Sequence, residues 1–163
     1  MEGPEPSLGA GPRASLRDVP RPALVLGAAG LVPFLAGVAG VWALGYPAYI
    51  LALNLTMAYA AVILAFLGAV HWGLALAQGA AGNWRRLAPS VLPALAGWFA
   101  LILPNAFGLL LLAVGFAAVF LVDRTAVAAG RAPGWYKALR KPLTLVVLAS
   151  LAASYAALAV RAA

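Results

Sequence analysis

Long apolar runs with almost no charge make up most of this chain. Of its 163 residues, 65% are hydrophobic and 9% are charged, whereas a soluble domain usually carries about 25% charged residues. The runs are continuous, unlike the alternating segments of about ten residues that build a membrane β-barrel. Inside hydrocarbon, an unbroken helix satisfies every backbone polar group of such a run. The sequence therefore predicts an all-α integral membrane protein.

Short turn-forming or charged connections divide the apolar sequence into five segments. One crossing of a hydrocarbon core about 30 Å thick needs about 20 residues. Ala88–Val122 is too long for one comfortable crossing, and Pro104-Asn105 near its middle predicts a turn. We therefore predict a five-helix transmembrane domain over residues 22–163, with spans near residues 23–44, 48–78, 88–103, 106–122 and 142–160.

Residues 1–21 differ from the rest in being rich in Pro and Gly and in holding Glu2, Glu5 and Asp18. Such a segment buries too little apolar surface to fold, so we predict a disordered N-terminal tail. The apolar run that follows is too long for the core of a typical signal peptide, although a cleaved signal is the alternative.

The basic residues are divided very unevenly between the two sides of the predicted bundle. With five spans, three Lys or Arg residues fall in the tail, two in the second loop and five in the fourth connection, and only Arg161 lies opposite. Because basic residues favour the cytoplasmic side, the N-terminus should be cytoplasmic and the C-terminus outside. A single span over Ala88–Val122 would abolish this bias. The expected partners are therefore anionic lipid headgroups at the cytoplasmic face and not nucleic acid.

His71 is the only histidine and lies towards the cytoplasmic end of the second span, next to Trp72. Ionisable side chains inside spans often mark a functional site, here a proton relay or a ligand contact. The alternative is that both residues lie at headgroup level and anchor the helix. One histidine without cysteine supplies too few ligands for a metal or haem, so no cofactor and no metal is expected.

Asp123 is the only acidic residue beyond the tail and is predicted to end the fourth span. One interpretation is an exposed pair with the adjacent Arg124, which would contribute little to stability. The other is a contact with His71 or with a basic residue of the second loop. The sequence places these groups on the same side of the membrane but does not bring them together.

The segment Pro133–Pro142 predicts a short interfacial helix before the last span. Trp135 and Leu139 would share its apolar face, and Lys137, Arg140 and Lys141 would point towards headgroups. Anchoring is the main interpretation, and docking of a specific lipid or partner is the alternative. The candidate functional residues are therefore His71, Trp72, Asp123, Trp135, Tyr136 and Arg140.

Small residues recur on one face of the first span, at Gly30, Pro33, Gly37 and Gly40. Such a face lets helices approach closely. Packing within the bundle is the main interpretation, and a homodimer face is the alternative.

Motifs that carry enzyme chemistry are missing from the sequence. It contains no Walker A, no His-Glu-x-x-His and no nucleophile elbow, and no carboxylate pair lies within the spans. We predict no catalytic residue and favour a non-enzymatic accessory or assembly role, with another membrane protein or a second copy of the chain as partner. The alternative hypothesis is a small-molecule or proton-linked transport or binding protein that uses His71.

Three patches in order carry a family resemblance: Gly30–Phe34, Phe66–Gly73, and Gly134–Arg140 followed by Thr144. Over residues 22 to 155 the chain resembles an uncharacterised family of small multi-span membrane proteins that includes the eukaryotic transmembrane protein 69. The resemblance implies that the chain belongs to this family. It implies no activity, because the family has no established one. Its eukaryotic members are linked with mitochondria, so the resemblance implies a multi-pass protein of a bacterial inner (plasma) membrane.

The stretch from Trp135 to Pro142 is also similar to a signature of the tryptophan-rich sensory protein family. That family carries the signature between its first two spans, followed by paired prolines. Here it precedes the last span and is followed by Leu143 and Thr144. Tetrapyrrole or sterol binding is therefore not expected.

Overall fold

The computed structural model describes residues 15–80 and 82–162, and over these ranges it contains helices and no strand. This confirms the all-α class. A 3₁₀ turn at Leu16–Asp18 precedes six helices: α1 Arg21–Ala29, α2 Val32–Ala43, α3 Ala48–Ala77, α4 Trp84–Ile102, α5 Asn105–Ala128 and α6 Gly134–Ala162.

Four stretches in the described part of the chain are long and apolar enough to cross a membrane. They are Arg21–Ala43, Ala48–Ala77, Asn105–Ala128 and Gly134–Arg161. Helix α4 is not among them, because Arg85 and Arg86 in its first turn and its two prolines make it less apolar. The chain is therefore a multi-pass membrane protein.

The predicted turn at Pro104 is present. Helix α4 ends at Ile102 and α5 begins at Asn105, because a proline disfavours the helical conformation in the residue before it. A Cβ on Gly108 would overlap the Ala100 carbonyl, so this glycine allows the two helices to close tightly. Ala88–Val122 is therefore a helical hairpin and not one long helix.

The first predicted span is broken into two helices. Helix α1 ends at Ala29 and α2 begins at Val32. Pro33 has no N–H to donate to the Ala29 carbonyl, so the break coincides with a helical hydrogen bond that cannot form.

The predicted disordered tail falls partly outside the described residues, which begin at Ser15. Residues 15–21 differ from that prediction. The side chains of Ser15 and Asp18 form a reciprocal capping box, Val19 is buried, and α1 begins at Arg21. A capping box satisfies two backbone donors, which favours a folded turn here.

Helix α3 lies at the centre of the bundle, against α2, α4 and α5, and α6 packs on α2 and α5. Phe34 meets Tyr59 and Phe116 edge to face, with ring centroids 5.2 and 6.2 Å apart. The aliphatic core around these rings includes Leu53, Leu64, Leu109, Leu112 and Leu151. The small-residue face of α2 is used inside this bundle, since Gly37 lies against Thr56 and Gly40 against Ala52.

Arg161 ties the end of α6 to the end of α2. Its Nη2 donates to the carbonyls of Val41 and Leu44, both at 2.9 Å, and its guanidinium lies 4.2 Å from the centre of the Tyr49 ring. A cation at the last carbonyls of a helix is favourable. The end of α6 and the turn between α2 and α3 therefore share one end of the bundle.

Replacement of Gly68 by Ala tests the close contact between α3 and α4. A Cβ at Gly68 would overlap the Ser90 carbonyl on α4, so Gly68→Ala should lower the free energy of unfolding by about 1–3 kcal/mol. Gly73, on the same helix, has open space around it, and Gly73→Ala should leave stability unchanged or raise it by up to about 1 kcal/mol. Denaturation of both variants in one detergent checks this, and equal effects would contradict the packing.

Candidate functional site

Three helices each contribute one polar side chain to a buried cluster. His71 Nε2 on α3 lies 2.9 Å from Asp123 Oδ1 on α5. Arg140 Nε on α6 donates to Asp123 Oδ2 at 2.7 Å. Asp123 is 1% exposed and Arg140 6%. One carboxylate therefore bridges a histidine and an arginine inside the bundle; we call these three residues the charge cluster.

Helical periodicity directs these side chains inwards. Asp123 follows Phe116 and Val119 on the buried face of α5, at steps of three and four residues. Arg140 is four residues after Tyr136 and four before Thr144 on α6. Residues three or four apart lie on one side of a helix. The cluster is therefore built by faces that also carry core residues.

The charges in the cluster balance when His71 is neutral. The Asp123 carboxylate then offsets the Arg140 guanidinium, and the His71 Nε2 must carry its proton to donate to the carboxylate. A protonated His71 would leave the cluster with one net positive charge. Buried charges persist only when paired, and removal of one partner usually costs about 3–5 kcal/mol.

The charge cluster lies between two cavities. His71 lines a cavity of about 540 Å³ between α3, α4 and α5, whose rim carries Arg85, Arg86 and Arg131; we call it the arginine cavity. Arg140 and Tyr136 line a second cavity of about 390 Å³, bounded by α1, α3 and α6. The arginine cavity therefore reaches the cluster through His71, and the second cavity reaches it through Arg140.

Three buried polar atoms near the second cavity have no hydrogen-bond partner among residues 15–80 and 82–162. They are the Tyr136 hydroxyl, Arg140 Nη2 and Thr144 Oγ1. Buried polar groups are normally satisfied by protein or by ordered water. This side of the cluster therefore has unused capacity for hydrogen bonding.

Of the two interpretations of Asp123, the structure shows the contact with His71 and not the exposed pair with Arg124. The prediction that Asp123 ends its helix is wrong, because α5 continues to Ala128. Arg140 does not point towards headgroups, because it is buried against Asp123. The predicted short interfacial helix is instead the first part of α6, which runs without interruption from Gly134 through Pro142.

The structure joins three of the six candidate residues, His71, Asp123 and Arg140, by hydrogen bonds. Trp135 and Tyr136 line the second cavity with Arg140, and Trp72 lies apart from them. Trp72 is 41% exposed and lines a shallow groove with Trp84. Trp135 packs edge to face on Tyr136, with ring centroids 6.2 Å apart. An anchoring role for the tryptophans stays a prediction. His71 has a side chain 15% exposed and is bonded to Asp123, so it is not simply a headgroup anchor.

Gln78 is a site residue that the sequence did not single out. Its Nε2 donates to the Arg131 carbonyl at 3.0 Å, and its Oε1 accepts from Arg86 Nη2 at 2.6 Å. It therefore ties together the ends of α3, α4 and α5 at the rim of the arginine cavity. The available signal was an amide at the end of a long apolar run, where a helix end needs polar partners.

Residues 19–156, which include the whole charge cluster, match a family model described as a protein of unknown function (DUF3429). The chain belongs to the DUF3429 family. Transmembrane protein 69 of Xenopus tropicalis is 37% identical over 148 residues, covering 86% of this chain and 56% of the relative. Transmembrane protein 69 of Mus musculus is 37% identical over 145 residues, covering 83% and 56%.

The chain thus spans little more than half the length of these two curated relatives. No solved structure matches it. The family resemblance inferred from the three sequence patches is confirmed. The prediction of a multi-pass membrane protein is confirmed as well.

A double-mutant cycle tests whether the Asp123–Arg140 pair stabilises the bundle. Asp123→Asn and Arg140→Gln should each lower the free energy of unfolding by about 3–5 kcal/mol, because each leaves a buried charge without its partner. The double variant should lose less than the sum, with a coupling of about 1–3 kcal/mol. Detergent-based denaturation measures all three.

The exposed neighbour Arg124 provides the matched control. Arg124→Gln removes the same type of charge next to Asp123 and should change stability by no more than about 0.5 kcal/mol. Additive single effects, or an Arg124→Gln loss as large as that of Arg140→Gln, would contradict the cluster.

Proposed function

We propose that this protein is a non-enzymatic, membrane-embedded binding protein whose binding centre is the charge cluster and whose affinity depends on the protonation of His71. The observation that carries the proposal is the position of His71. It lines the arginine cavity and at the same time bonds to the buried Asp123 carboxylate. A proton taken up by this side chain changes the charge at the wall of a cavity large enough for a ligand.

The sign of the effect follows from the charges around His71. Asp123 faces it from α5, with Arg140 behind it on α6, and Arg85, Arg86 and Arg131 line the same cavity. Proton uptake adds one positive charge to a cavity that already carries three. Binding of an anionic ligand should therefore tighten as the pH falls and His71 gains its proton.

An accessory or assembly role is the second candidate and keeps its basis in the sequence, which lacks catalytic motifs. It requires a protein partner in place of, or together with, a small ligand. Stable co-purification of another membrane protein in mild detergent would favour this role.

We further propose five crossings with a cytoplasmic N-terminus. Helix α4 has 19 residues and is therefore about 28 Å long, close to the core thickness of about 30 Å. The arginine rim and Arg161 lie at opposite ends of the bundle, as the positive-inside rule requires for this orientation. The bacterial inner membrane is proposed on the family resemblance alone, since the relatives compared come from a frog and a mouse.

Substitution of His71 tests the binding proposal. His71→Gln keeps a donor for Asp123 but cannot gain a charge. Mass spectrometry of small molecules retained after mild extraction, at about pH 5.5 and about pH 8, should show more anionic ligand on the wild type at the lower pH. The variant should show no such difference.

Trp72→Phe is the control, because Trp72 adjoins His71 but lies outside the arginine cavity. It should keep the wild-type pH dependence. Retention that is independent of pH in the wild type, or dependent on pH in His71→Gln, would contradict the role of His71.

Single cysteines test the topology, since the chain has none of its own. Gly45 and Gly82 have open space around them, and Pro104 lies in the turn between α4 and α5. With an impermeant maleimide on intact bacterial cells expressing the protein, Gly45→Cys and Pro104→Cys should react and Gly82→Cys should react only after lysis. Reaction of Gly82→Cys and Pro104→Cys from the same side would show that α4 does not cross.

A further inference from the structure

The rim of the arginine cavity concentrates positive charge at one end of a mainly apolar space. Arg85 and Arg86 lie in the first turn of α4, and Arg131 follows α5. The bonds of Gln78 to Arg86 and to the Arg131 carbonyl hold these segments together. No acidic side chain is among the residues that line the cavity. The rim is therefore suited to an anion.

The rest of the cavity is an apolar trough at least as deep as one lipid leaflet. Leu92, Pro93 and Ala96 form its α4 wall, and Leu111, Val114 and Ala118 form its α5 wall. Arg85 and Ala96 are eleven residues apart, which is about 16 Å along a helix. Half of the hydrocarbon core is about 15 Å. Along α4 the trough therefore runs from headgroup depth at least to the middle of the bilayer.

We propose that the arginine cavity binds one anionic phospholipid, with its phosphate among Arg85, Arg86 and Arg131 and an acyl chain in the trough. Arginine guanidinium groups form charge-assisted hydrogen bonds with phosphate. A zwitterionic lipid carries a compensating positive charge to the same rim, and a free phosphate would leave the trough without a ligand. The combination of rim and trough therefore selects an anionic lipid.

This proposal names the class of ligand that the cavity of the proposed function would bind. Only the pH dependence of lipid binding rests on the proposed function. His71 lies seven residues before Gln78, about 10 Å deeper along α3, beside the part of the trough proposed for the acyl chain. A protonated His71 would add a positive charge below the rim, and this charge would attract the anionic headgroup and strengthen binding.

The test uses the full chain in bilayers of phosphatidylcholine with increasing phosphatidylglycerol, and native mass spectrometry counts the retained lipid. The wild type should retain one phosphatidylglycerol per chain. Arg85→Gln with Arg86→Gln should weaken its apparent Kd about tenfold or more, because two charge-assisted contacts are lost. Lys137→Gln with Lys141→Gln removes the same charge from exposed positions at the same end of the bundle and should change Kd less than about twofold.

A second variant tests the trough with the arginines intact. Ala118→Phe fills the space for the acyl chain and should weaken retention by a similar factor, with stability checked by denaturation. If the Arg85/Arg86 and Lys137/Lys141 variants lose equal lipid affinity, general surface charge explains the binding, and the proposed site is overturned. Displacement of the lipid by millimolar inorganic phosphate, or full retention in Ala118→Phe, would overturn the acyl-chain contact.

His71→Gln separates this proposal from the proposed function. At about pH 8 it should retain phosphatidylglycerol as the wild type does, because the arginines hold the phosphate. Loss of the pH dependence alone supports both proposals. Wild-type pH dependence in His71→Gln would overturn the role of the histidine while leaving the arginine site in place.

Discussion

The buried carboxylate of Asp123 is the constraint on which this end of the bundle depends. A carboxylate that is 1% exposed is stable only with cationic or hydrogen-bonding partners, and Arg140 and His71 provide both. These partners come from α6 and α3, so one side chain on α5 constrains how three helices are rotated against one another. At the opposite end, Arg161 performs a similar task with the last carbonyls of α2.

The same constraint places chemistry next to open space. His71 belongs both to the charge cluster and to the wall of the arginine cavity. A proton on its ring therefore changes the net charge of the cluster and of the cavity wall together. In the proposed site, the rim arginines and the trough together favour an anion that carries an apolar chain. An anionic lipid would meet both requirements, and this proposal links the basic charge of the sequence to a particular groove and not only to orientation.

The sequence supports the helical class and the hairpin at Pro104, because apolar run length and proline have local effects. His71, Asp123 and Arg140 were each candidates, and a contact between Asp123 and His71 was one of two interpretations. The sequence could not decide between these two or predict the contact with Arg140, since 52 and 17 residues separate the partners and helix rotation is set by packing. The prediction that Arg140 points towards headgroups was wrong because it treated Arg140 as one basic face with Lys137 and Lys141. Its spacing of four from Tyr136 and from Thr144 was the available signal for a different, buried face.

The contact between His71 and Asp123 can be measured directly, because the chain contains one histidine and its only other aspartate is Asp18. Protein labelled with ¹⁵N-histidine and ¹³C-aspartate in lipid bilayers should show a strong dipolar coupling from Nε2 to one carboxyl carbon, as the 2.9 Å contact requires. The coupling should persist in Asp18→Asn and disappear in Asp123→Asn. A wild-type spectrum without any such coupling would contradict the charge cluster.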